Sequence, residues 1–184
     1  DRCIPSYHVH HMSTKKTRRT FLKSAAVASI GIPTFIPASA LGKNGSVAPS
    51  NRIVLGGIGV GRRGGKVLEG FFAQKDTQFV AVADPQKERR EIIKRKTDEH
   101  YGNKDCVLYD DMSGVLERDD IDAVLITTGD RWHATASILA ARAGKDIYCE
   151  KPCAMNIQEC QELDDSIKKH QRVFQAGTQR RSVP

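Results

Sequence analysis

Residues Leu55 to Gly65 read L-G-G-I-G-V-G-R-R-G-G, and within that run Gly59, Gly61 and Gly64 stand at the spacing G-x-G-x-x-G, directly behind the apolar stretch Arg52-Ile53-Val54-Leu55. That spacing is how a protein holds a dinucleotide, although the pattern alone is a weak signal. The first glycine permits a sharp strand-to-helix turn. The second removes a side chain where a pyrophosphate must approach, and the third lets the helix lie close to the strand. The helix that begins there aims free amide groups and the positive end of its dipole at an anion. The same spacing also suits a plain glycine-rich turn, so the rest of the chain has to decide.

Downstream, apolar runs alternate with helix-length segments. Strands are expected at Arg52–Ile58, Gln78–Ala83, Cys106–Tyr109, Ile121–Thr127, Asp146–Cys149 and Arg172–Ala176. Between them helices are expected at Arg62–Ala73, Gln86 to about His100, Met112–Glu117, Trp132–Ala143 (stopped by Gly144) and, capped by Asn156, up to about His170. The unbroken apolar cores Q-F-V-A-V-A and I-D-A-V-L-I-T suit strands buried on both faces. Strands alternating with crossover helices predict an α/β fold, a doubly wound parallel sheet of about six strands. At 184 residues the chain supports one substantial core.

Of the net charge of +7, +6 resides in the first fifty residues, which hold seven basic side chains against Asp1, while the remainder carries 22 basic and 21 acidic residues, a net of +1. That distribution excludes a nucleic-acid-binding body. The leader reads Thr17-Arg18-Arg19-Thr20-Phe21-Leu22-Lys23, then a short alanine-rich apolar segment from Ser24 to Ile36 broken by Gly31 and Pro33, then Ala38-Ser39-Ala40. Paired arginines, apolar segment and small-residue cleavage site in that order predict a twin-arginine signal peptide over 12–40, with no stable membrane span, recognised by the twin-arginine export machinery. The mature protein is then periplasmic or extracellular. Residues 1–11 read as an extension without structure, His8, His10 and His11 included; 41–50 read as a linker and 51–184 as the folded domain. Five cysteines (Cys3, Cys106, Cys149, Cys153, Cys160) lack zinc-site spacing, and no metal site is expected. Those of the body read as small buried hydrophobes, with a Cys149–Cys153 disulfide left open.

Asp84 ends the second strand, twenty residues beyond Gly64, where a carboxylate accepts ribose hydroxyls and repels a 2′-phosphate. This favours NAD. Arg89 and Arg90 leave NADP open. The fourth and fifth strands run into Thr127-Thr128-Gly129-Asp130-Arg131-Trp132-His133 and Glu150-Lys151-Pro152, both at carboxyl ends, where a parallel sheet gathers its ligands. With V-A-V-A-D, A-G-K-D-I-Y-C-E-K-P and V-F-Q-A-G-T-Q-R-R-S, the chain from Arg52 onward resembles the glucose-fructose oxidoreductase/inositol dehydrogenase family (Gfo/Idh/MocA), in particular its exported branch.

The resemblance implies a Rossmann domain that binds NAD(P) for hydride transfer to or from a sugar, cyclitol or related polyhydroxy substrate. It implies that Gly59, Val60, Gly61, Arg62, Arg63 and Gly64 surround the pyrophosphate, that Asp84 holds the adenosine ribose, and that Thr128, Asp130 and His133 lie along the nicotinamide half. Glu150 and Pro152 belong with the cofactor set, and Lys151 is the catalytic residue. Pro152 would set the backbone that aims Lys151, through a cis bond in one reading. An ammonium beside the reacting oxygen stabilises developing alkoxide. Gly129 and Arg131 depart from the family's usual Pro and His, loosening that loop. The family's substrate domain has no counterpart before Pro184, so the chain reads as the cofactor half of a full-length homo-oligomeric enzyme, inactive by itself. Glu-Lys-Pro points toward net redox chemistry. NAD-assisted glycoside cleavage without net redox change is the alternative, and a non-catalytic nucleotide-binding module is a third reading.

Overall fold

Six strands among the described residues follow from the buried apolar runs: β1 (Ile53–Ile58), β2 (Thr77–Ala83), β3 (Val107–Tyr109), β4 (Ala123–Ile126), β5 (Asp146–Glu150) and β6 (Phe174–Gly177). All pair in parallel, in the order β3-β2-β1-β4-β5-β6. The structure, a computed structural model, describes residues 47–182. The extension, the signal peptide and most of the linker expected at 41–50 lie outside the described residues. Helices α1 (Arg62–Phe72), α2 (Lys87–Tyr101), α3 (Ser113–Leu116), α4 (His133–Arg142) and α5 (Ile157–His170) make the crossovers. This is the doubly wound Rossmann arrangement that the alternation predicts, with its strand order reversing between β1 and β4. No described helix is long and apolar enough to cross a membrane.

Two cores sandwich the sheet. Ile58, Ala83, Ile126 and Cys149 meet Val115 of α3 and the alanine-rich face of α4 on one side. Leu55, Phe79 and Leu125 meet Leu68 of α1 and Ile93 of α2 on the other. Ala136, Ala140 and Ala141 are fully buried, their small side chains letting α4 lie close to the sheet. The alternation of β2 inverts at one point. Leu55 pairs with Phe79 and Gly56 with Ala81, so Val80 is an extra residue. Beyond this bulge Ala81 and Ala83 face the first core, whereas Phe79 faces the second.

Element ends follow local chemistry. The Asn156 side chain accepts the Glu159 amide at 2.9 Å and so caps α5, while Glu159 Oε2 accepts the Met155 amide at 2.8 Å. The fourth strand is shorter than the apolar run, because the ladder to β1 begins only at Ala123; Asp122 instead turns its carboxylate to the Val54 amide at 2.8 Å. The sixth strand starts two residues late, since the Arg172 amide donates to the Ile167 carbonyl of α5 and the Val173 amide to the Asp146 carboxylate at 2.9 Å. Asp130–Trp132 form a 3₁₀ turn that postpones α4 to His133, and another 3₁₀ turn at Pro49–Asn51 runs into the expected linker. Cys106 and Cys149 are buried free thiols as expected, and burial pushes the Cys149 thiol up to about 12. Cys153 is half-buried and Cys160 exposed, which corrects the reading of all body cysteines as core residues. No disulfide joins Cys149 to Cys153.

Candidate functional site

The strand ends around the β1/β4 reversal carry the site. Gly59 adopts φ 66°, and a side chain there would collide with Thr128. At Gly64 a Cβ would run into Thr127 Oγ1 and come within 2.9 Å of Val60 Cγ1, so α1 approaches β4 only because this residue has no side chain. Thr127 Oγ1 in turn donates to the Gly59 carbonyl at 3.1 Å. Gly61 differs: only the Arg89 guanidinium, at 3.6 Å, stands near its missing side chain. The backbone of Gly61 is thus open to a ligand. It is the N-cap of α1 and offers no capping side chain, leaving first-turn amides available for an anion. Gly59 thus makes the turn and Gly64 the close helix-to-strand approach, while the open backbone at Gly61 leaves a cradle that fits a pyrophosphate.

Two cavities meet across this loop. One of about 550 Å³ is lined by Gly59, Gly61, Asp84, Arg89 and Asp111, with Trp132 at its edge. Asp84 is 3% exposed, and its Oδ1 accepts the Gln86 amide at 2.8 Å. Of the two arginines that keep NADP open, Arg90 is committed to the Asp84 carbonyl at 2.6 Å, whereas Arg89 faces the cavity. The second cavity, of about 880 Å³, is lined by Arg63, Thr128, Asp130, His133, Glu150 and Lys151. Lys151 is exposed, and its ammonium has no hydrogen-bond partner among the described residues. The peptide bond between Lys151 and Pro152 is cis.

Four residues assigned to the cofactor on sequence grounds have surroundings that the sequence did not announce. The Val60 side chain is 1% exposed and packs in the core, so only its backbone can meet a ligand. Pro152 lies outside the lining of both cavities. His133 is 1% exposed with both ring nitrogens facing backbone: Nδ1 donates to the Pro152 carbonyl at 2.6 Å, and Nε2 lies 3.2 Å from the Thr128 carbonyl. The imidazole thus holds the lysine turn against the β4 loop. Glu150, 4% exposed, accepts Arg63 Nε at 2.8 Å and the Gln179 side-chain amide on Oε1, and the Lys151 backbone amide at 3.2 Å on Oε2. Burial by itself would raise this carboxyl. The hydrogen bonds from Arg63, Gln179 and Lys151 outweigh it and hold the group below the ordinary glutamate range.

Gln179, which opens the 3₁₀ turn just after β6, escapes a sequence reading because its partner lies 29 residues away. Lys145 of A-G-K also escapes it. Its ammonium is buried and donates to the carbonyls of Arg118 at 2.6 Å and Ile121 at 2.9 Å, supporting the approach to β4. Among the described residues no His/Cys/Asp/Glu cluster could hold a metal.

A parallel sheet with a glycine cradle at its reversal point and a charged cavity beyond defines a dinucleotide-binding Rossmann domain. The model of an oxidoreductase family with an NAD-binding Rossmann fold, GFO_IDH_MocA, matches residues 53–178, and the chain belongs to that family. A "glycosyl hydrolase family 109 protein" of Solibacter usitatus is 31% identical over 86% of the chain and 38% of its own length. An "alpha-N-acetylgalactosaminidase" of Shewanella oneidensis is 31% identical over 84% of the chain and 38% of its own length. The chain therefore spans well under half of these curated relatives. Among solved structures, a putative NADPH-dependent oxidoreductase from Desulfitobacterium hafniense superposes with TM-score 0.65 at 26% identity, covering 72% of this chain and 36% of that one.

Proposed function

We propose that the chain is the cofactor-binding half of an exported NAD(P)-dependent enzyme that moves hydride to or from a carbinol carbon of a sugar, cyclitol or related polyhydroxy compound. The observation that carries this reading is an unpartnered Lys151 ammonium in one cavity with Thr128 and Asp130, immediately beyond the glycine cradle. NAD supplies the hydride acceptor when bound. The chain's own residues do the rest. The α1 amides and Gly61 backbone receive the pyrophosphate, Asp84 takes the ribose, and Lys151 donates a hydrogen bond to the reacting oxygen as its charge grows. Asp84 at the carboxyl end of β2 supports NAD, while Arg89 on the same cavity leaves NADP open. Since free nucleotide is scarce outside the cytoplasm, we also propose that the mature protein keeps its nucleotide bound and regenerates it within the cycle; purification free of nucleotide would contradict this.

The names of the curated relatives favour a second reading, in which the same hydride step opens glycoside cleavage and is then reversed. Incubating the full-length gene product with free polyols and with nitrophenyl glycosides separates the two. Oxidised sugar, balanced either by reduced nucleotide or by an equivalent of a second, reduced sugar, supports net redox chemistry. Released nitrophenol without net reduction supports cleavage, and neither product would overturn both readings.

A further inference from the structure

We propose that Arg63 and Glu150 couple the nucleotide site to the position of Lys151, so that a bound pyrophosphate sets the lysine turn. This rests on the reading of the glycine loop as the pyrophosphate cradle. Arg63 stands in the first turn of α1, one residue before Gly64, and borders both cavities. Its side chain is half-exposed, and among the described residues only its Nε is engaged, by Glu150 Oε1 at 2.8 Å. The remaining guanidinium nitrogens are left for an anion at the helix start. Glu150 in turn is almost wholly buried and grips the backbone amide of Lys151 with its other oxygen at 3.2 Å. Gln179 fixes the carboxylate from the β6 side. A phosphate that draws Arg63 toward the cradle therefore pulls on the one carboxylate that holds the lysine turn. Glu150 acts as a positioning residue through the Lys151 amide and touches no reacting atom.

The test uses ADP, which places a pyrophosphate at the cradle but has no nicotinamide to touch Lys151. Reductive methylation of the chain, read by mass spectrometry, reports the reactivity of Lys151 against Lys168, which is paired with Asp164 on the exposed face of α5. Saturating ADP is expected to change the Lys151 rate about fivefold, with Lys168 unchanged. In Glu150→Gln, which keeps the shape of the side chain, and in Arg63→Ala, at ADP saturating for each variant, the Lys151 rate is expected not to respond. ADP that binds without changing Lys151, or that changes it equally in Glu150→Gln, overturns the coupling. Failure of ADP to bind a folded chain overturns the coupling together with the cradle reading. The catalytic role of Lys151 stands or falls separately, on hydride transfer by Lys151→Met.

Discussion

A single methyl group at Gly64 separates a helix that can approach β4 from one that cannot. Gly64→Ala drives a carbon into Thr127 Oγ1 and Val60, both held by the core, and is expected to destabilise the fold by about 1–3 kcal/mol. Thermal unfolding measures this. At Lys151 the expectation is the reverse: the side chain is exposed, so Lys151→Met leaves stability and nucleotide affinity nearly unchanged. Hydride transfer by the full-length gene product falls about 10²- to 10⁴-fold. Steady-state kinetics beside a nucleotide titration would show the split. Glu150 has a pH signature. Its folded carboxyl lies below the ordinary value of 4.5, so its stabilising contribution is complete above that value and is lost as pH falls below it toward the lowered folded value. The acid limb of the stability profile is therefore less steep in Glu150→Gln, and an unchanged limb would show that the carboxylate contributes nothing there.

At the scale of elements, α5 is held by a local device and α4 by a long-range one. Asn156→Ala removes the side chain that accepts the Glu159 amide, at a cost of about 1 kcal/mol measurable by denaturant unfolding. His133, at the start of α4, instead ties the β4 loop to Pro152, nineteen residues on. This difference explains what could be read in advance. The Asn156 cap, the Gly144 stop and the strand-helix alternation are encoded within a few residues, and all were legible. Strand ends were not, because the Asp146 and Asp122 carboxylates accept the Val173 and Val54 amides from distant parts of the chain, which no local pattern records. The site divides along the same line. The glycine spacing announces its geometry, and the resemblance points to Lys151. The bonds by which His133 and Glu150, both on the lining of the second cavity, also brace the lysine turn depend on Pro152, Arg63 and Gln179 arriving from elsewhere in the fold.

At the scale of the whole molecule, the domain joins two cavities across one loop, and the chain spans 38% of the length of the curated relatives it matches. Export, assembly into a homo-oligomer and substrate choice remain proposals for the full-length protein, whereas nucleotide capture belongs to the residues described. Trp132 gives direct access to it. This residue is the sole tryptophan of the chain, half-exposed, and borders the cavity that also holds Gly59, Gly61 and Asp84. Titration with NADH under tryptophan excitation should give saturable quenching of Trp132 with matching sensitised nicotinamide emission. A Gly61→Val variant, at a position where an added Cβ has only the Arg89 guanidinium within 4 Å among the described residues, should fold and lose most of that response. No change in Trp132 emission in the folded chain, or an equal response in folded Gly61→Val, would contradict the glycine loop as the nucleotide cradle.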